Sequence, residues 1–118
     1  TVQRQCIREV FENSDRPLSI HEVFNAAAGR LPQIGIATVY RNVKRLCEQQ
    51  WLTRVELPGD TPRFEISDRN HRQYFHCRKC RKVYGAEGEV DNLYHLVPSG
   101  FHLENQEVVL YGVCSQCA

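Results

Sequence analysis

Apolar side chains recur every three to four residues at the start of the chain. Val2, Cys6, Ile7, Val10 and Phe11 share one side, while Gln3, Arg4, Arg8 and Glu9 lie elsewhere, which is the pattern of an amphipathic helix. The polar run Asn13-Ser14-Asp15-Arg16-Pro17 then breaks it. Ser19 stands three residues before Glu22, ahead of a second apolar set of Ile20, Val23, Phe24 and Ala27. That is a capping box, in which the serine oxygen accepts an orphan backbone N–H and the glutamate reaches back. Gly29 is expected to stop this helix and Pro32 to keep it stopped. A third helix is expected from about Ala37 to Gln50, entered through Ile34-Gly35-Ile36. Its turn places Val39, Val43, Leu46 and Gln50 on one face, and Thr38, Arg41, Lys44, Arg45 and Glu48 on the other.

The period then shortens. Trp51 to Leu57 and Arg63 to Ile66 are strand-like and flank the turn-rich tip Pro58-Gly59-Asp60-Thr61-Pro62, which reads as a hairpin. Ser67 to Asn70 is polar and reads as a hinge. Beyond it come strand-like pieces at Tyr74 to Cys77 and Val83 to Ala86, then a helix-compatible segment, Val90 to Val97, ending at Pro98-Ser99-Gly100. Two more strand-like pieces follow, around Phe101 to Leu103 and Val108 to Val113. Three helices followed by a hairpin is the order of a winged helix-turn-helix. The expected fold class is therefore α+β, with a winged-helix unit in 1–66, a hinge in 67–70 and a small α/β unit in 71–118.

A chain of 118 residues that is 42% hydrophobic can bury one modest core, or two small ones if something besides apolar area holds the second. Its six cysteines suggest what that is. Cys77-Arg-Lys-Cys80 and Cys114-Ser-Gln-Cys117 each follow a strand-like run, where two thiolates can converge on one ion, and two such pairs complete a tetrahedron. Closed four-sulfur coordination by zinc is structural, since no position is left for water or substrate. Arg78, Lys79, Arg81 and Lys82 lie beside the first pair and would offset its charge. Two disulfides or a thiol redox pair are the alternatives, but a redox pair wants a helix starting at its first cysteine and Arg81-Lys82-Val83-Tyr84 is strand-like. Cys6 and Cys47 lie on helical apolar faces and read as small core residues.

The formal net charge of +1 does not announce a nucleic-acid binder. The basic side of the third helix does so locally, because the short helix before it and the hairpin after it place it where such folds enter the major groove. Thr38, Tyr40, Arg41, Lys44 and Arg45 are the candidate DNA contacts there, with Arg54 and Arg63 on the two hairpin arms as candidate backbone contacts. No apolar run approaches the roughly 20 residues of a membrane span, and no secretory signal pattern opens the chain, so a soluble cytoplasmic protein is expected. With no methionine and a helical pattern starting at Thr1, the sequence is expected to begin downstream of its native start.

The string Gly35-Ile36-Ala37-Thr38-Val39-Tyr40-Arg41-Asn42-Val43 resembles the recognition-helix signature of ferric uptake regulators. Thr1, Gln3 and Arg4 are similar to that family's first-helix opening, Arg63-Phe64-Glu65 to its wing-to-hinge segment, and Tyr111-Gly112-Val113-Cys114 to its final strand and second cysteine pair. The resemblance spans the whole chain in order. It implies a homodimer that binds a palindromic double-stranded DNA operator and represses by occluding a promoter, with one structural Zn²⁺ per chain. Tyr40 and Arg41 would then be the foremost readers.

The departures concern the regulatory metal. The stretch before the first cysteine is Asn70-His71-Arg72-Gln73-Tyr74-Phe75-His76, with only His71 clearly in register, and Arg72 and Tyr74 where histidines are common. Glu65 keeps the hinge acid, but Pro17, Gly85 and Gln106 stand where a histidine, an acid and a histidine are usual, and Asn92 stands in place of another acid. Glu65 and His71 remain as a remnant pair, and one glutamate with one histidine holds iron or manganese weakly. The expectation is a depleted regulatory site. A different site built from His21, His71, His76, His95, His102, Glu89, Glu104 and Glu107 stays open, with His95 and His102 flanking the Pro98-Ser99-Gly100 turn. No Ser/His/Asp set, phosphate loop or carboxylate pair supports an enzyme. The competing readings are a zinc-stapled protein-interaction module and a thiol redox protein.

Overall fold

The computed structural model describes residues 1–91 and 93–118, so the expectation about Asn92 lies outside the described residues. Three helices come first: α1 (Val2–Glu12), α2 (Ile20–Arg30) and α3 (Ile36–Glu48). The capping box at the start of α2 is complete. Ser19 Oγ accepts from the Glu22 amide at 3.2 Å and Glu22 Oε1 accepts from the Ser19 amide at 3.0 Å. Gly29 does not end α2, which runs on to Arg30. The stop is Pro32, which forces Leu31 out of helical geometry, to φ −128° and ψ 83°.

The end of α3 also differs from expectation. Gln50 is exposed rather than on the buried face, with φ at 63°. Its amide donates to the Cys47 carbonyl at 2.9 Å and the Trp51 amide to the Leu46 carbonyl at 3.0 Å. This is a Schellman cap, with glutamine in the left-handed position usually given to glycine. It turns the chain directly into β1 (Leu52–Val55), which pairs antiparallel with β2 (Arg63–Ile66). Leu18 adds a bridge to Phe64 on the far side of β2.

The first core gathers Ile7, Val10, Phe11, Val23, Ala27, Val39, Val43 and Leu46 from the helices with Leu52, Phe64 and Ile66 from the hairpin. Cys6 is buried within it and Cys47 packs against it, as expected of small core residues. Val2, expected on the buried side of α1, is 72% exposed.

A short 3-10 turn, Ser67–Arg69, leads to a second sheet of β3 (Gln73–Cys77), β4 (Val83–Ala86) and β5 (Val108–Gly112). Its order is β4-β3-β5, with β3 antiparallel to β4 and parallel to β5. The segment expected to be helical, Val90 to Val97, contributes only a 3-10 turn at Tyr94–Leu96, and Phe101 to Leu103 forms no strand. Both lie along an exposed stretch, with Leu96 68% and Phe101 72% exposed, so little burial is on offer there to stabilise a regular element.

The second core is small, and half of it is borrowed. Val55 and Leu57 from the first hairpin join Tyr74 and Val83 from the second sheet, with Val109 beside them.

Candidate metal centre and nucleic-acid interface

The parallel pairing of β3 with β5 sets Cys77 opposite Gly112 and so brings both cysteine pairs to one end of the sheet. The four Sγ atoms lie within 4.8 Å of one another, and Cys80 Sγ is 3.8 Å from Cys114 Sγ. Zinc–sulfur bonds of about 2.3 Å in a tetrahedron give an edge of about 3.8 Å, whereas a disulfide needs about 2.05 Å. All six cysteines are free thiols. The four therefore fit one tetrahedral metal and neither of the disulfides considered.

The surrounding backbone prepares two of the sulfurs for that role. Cys77 Sγ accepts from the amides of Cys80 at 3.4 Å and Cys114 at 3.3 Å, which draws its thiol down to about 5. Cys114 is lowered as well, first by the Tyr84 hydroxyl. The hydrogen bond to Cys114 pushes the Cys117 thiol up to about 12, and a cation bound there would displace its proton. Tyr84 is a residue that sequence reasoning missed.

The regulatory remnant behaves differently. The Glu65 carboxylate accepts from the His71 amide at 2.7 Å and from the Tyr74 hydroxyl at 2.9 Å. Burial, with the Glu65 charge after it, pushes the Tyr74 hydroxyl upward, so it stays a donor. His71 faces Glu65 through Nδ1 at 3.4 Å and Glu87 through Nε2 at 3.7 Å. Opposite ring nitrogens thus hold the two carboxylates apart. The ring lies over Gly85, where a Cβ would collide with it, so the missing acid at that position is what gives the histidine its place. Pro17 is fully buried and Gln106 serves the loop, accepting from the Leu93 amide at 3.2 Å. Among the described residues the four cysteines are the one group of three or more metal-ligating side chains that converge; His21, His95 and His102 are exposed and join no such group.

Within α3 itself, Gln50 aside, the expected division of faces is observed. Val39, Val43 and Leu46 are buried, while Tyr40, Arg41, Lys44 and Arg45 are exposed. Arg41 donates to Thr38 Oγ1 at 3.2 Å and Asn42 Nδ2 to the Thr38 carbonyl at 2.9 Å, which steadies the first turns. Arg54 projects from β1 and pairs with Glu56 at 2.8 Å. Arg63 is a correction, since it is only 4% exposed and therefore is not placed to touch a DNA backbone. Strand alternation sends Phe64 and Ile66 into the first core, and Arg63 and Glu65 together to the opposite face, which packs on the second sheet.

The sequence model of the ferric uptake regulator family matches residues 1–111. The chain is 32% identical over 121 residues to the ferric uptake regulation protein of Bordetella parapertussis, covering 99% of this chain and 87% of that one. It is 28% identical over 122 residues to the peroxide operon regulator of Bacillus subtilis, covering 100% and 83%. A solved zinc-bound manganese uptake regulator superposes with a TM-score of 0.77 at 25% identity, over 97% of this chain and 89% of that one. With its sequence matched almost end to end, its fold shared and its paired cysteines converging, the chain belongs to the ferric uptake regulator family.

Proposed function

We propose that this protein is a sequence-specific DNA-binding transcriptional repressor that acts as a homodimer on a palindromic operator in the cytoplasm. Residues 1–66 would read DNA, 67–70 would link, and 71–118 would assemble the dimer. The observation that carries the reading is the exposed face of α3, where Tyr40, Arg41, Lys44 and Arg45 stand on a helix whose other side is locked into the first core. Thr38 positions Arg41, and Arg54 adds a cation on the neighbouring strand. Zinc is the ion that fits the four cysteines best, and when bound it supplies a tetrahedral cross-link between the two cysteine pairs at one end of the second sheet.

The names of the relatives point to a metal-responsive regulator. In this chain the Glu65 carboxylate is already engaged by Tyr74 and His71, which supports a regulatory site that is depleted. Equilibrium dialysis should find one tightly held metal per chain; a second would contradict the depleted site. For DNA, a gel-shift titration should show affinity falling steeply with salt as phosphates are neutralised. Arg41→Ala should weaken operator binding by about 1–3 kcal/mol with the melting temperature unchanged. Salt-independent binding, or equal loss of binding and stability, would remove the reading.

A further inference from the structure

The hairpin is tied by side chains to the second sheet. Its tip carries Asp60, whose Oδ2 lies 2.8 Å from Nε2 of His76 on β3. Arg63, where the returning arm leaves the tip, donates through one guanidinium nitrogen to the Arg81 carbonyl at 2.9 Å, and pairs with Asp60 at 3.4 Å. Arg81 presents that carbonyl from the turn closing the first cysteine pair, where its own φ is 68°. All three side chains are largely buried, with 15% of Asp60, 5% of Arg63 and 9% of His76 exposed. Burial alone would raise the Asp60 carboxyl; the Thr61 amide, Arg63 and His76 outweigh it and hold it at about 2. Beneath them Val55 and Leu57 pack on Tyr74 and Val83.

Desolvating an arginine and an aspartate is costly, and an apolar contact of similar size would hold the hairpin at least as tightly. What ionic partners add is direction. The reading helix is continuous with this hairpin through the Schellman turn at Gln50, so fixing the hairpin on the second sheet fixes the angle at which α3 is presented.

We propose that Asp60, Arg63 and His76 form a clamp across the 67–70 linker that positions the reading helices of a dimer, and so sets which half-site spacing the protein accepts. The proposal rests on the DNA-binding reading above. None of the three touches DNA; they are positioning residues.

The test uses Asp60→Asn and Arg63→Met in the zinc-loaded full chain, leaving His76 intact because it adjoins Cys77. Affinity is measured for an isolated half-site, and for operators whose half-sites are moved together or apart by one or two base pairs. Half-site affinity should stay within about twofold of the parent. Affinity at the best spacing should fall at least tenfold and the preference among spacings should flatten. Small-angle scattering without DNA should show a larger radius of gyration, with one zinc per chain retained. Parallel loss on half-site and full operator, or an unchanged spacing profile, overturns the clamp. A parent protein that binds neither DNA overturns the functional reading and the spacing claim with it; an unchanged radius then removes the restraint too, whereas an enlarged one still establishes it.

Discussion

The two cores of this molecule are built on different terms. The first is closed within residues 1–66, where three capped helices and a hairpin surround Ile7, Val23, Val39, Val43 and Leu46, each at most 1% exposed. The second consists of Val55, Leu57, Tyr74 and Val83, of which the first two belong to the hairpin of the other unit. A four-residue core does not offset the chain entropy of some fifty residues. The second half therefore stands on its sulfurs and on what it borrows, while the first stands on burial. A reading surface has to keep its shape in and out of complex, and a large apolar core supplies that.

The sharpest way to break the contrast is Cys77→Ser. Removing one ligand forfeits an apparent metal-binding free energy on the order of 10 kcal/mol, so the second sheet and the dimer should be lost while the helical signal of residues 1–66 persists. Circular dichroism, metal content and sedimentation would read this, and a folded dimer would contradict it. Next in size, Leu46→Ala should cost about 2–5 kcal/mol through the cavity it leaves. In denaturant titrations this loss should fall on the first transition and leave metal content unchanged. Smallest, Ser19→Ala removes one half of the capping box and should cost about 1 kcal/mol, again with the metal untouched. If these last two changes released metal, the sulfur cluster would depend on the first core for more than the two side chains it borrows.

Much of this was readable in the sequence because the signals are local. Ser19 and Glu22 are three residues apart, and each cysteine pair is a tight turn. The two faces of α3 follow from the helical period alone. Signals that depend on a partner were harder to read. The apolar residues of Val90 to Val97 suit a helix, but Val90 and Leu96 stay largely exposed and only a 3-10 turn forms at Tyr94–Leu96. The parallel register of β3 and β5 has no local mark at all. Arg63 was legible in principle: it is two residues from Glu65 on one strand, so the two must share a face. An acid at an inter-unit hinge and an arginine on a DNA backbone are incompatible assignments for that pair. Tyr74, read as a lost histidine, turned out to be the hydroxyl that occupies Glu65.

The long reach of the sulfur cluster bears on how the molecule is made. Cys77 and Cys114 are 37 residues apart, an interval of about 2–7 s at ribosomal rates of roughly 5–20 residues/s. During it the three helices can already be folded, while the first thiol pair has no second pair to meet and β3 lacks its parallel neighbour. On the proposed reading, each nascent copy thus completes its DNA-reading residues before its means of pairing, and assembly of the dimer would wait on delivery of an ion to the newly completed pocket.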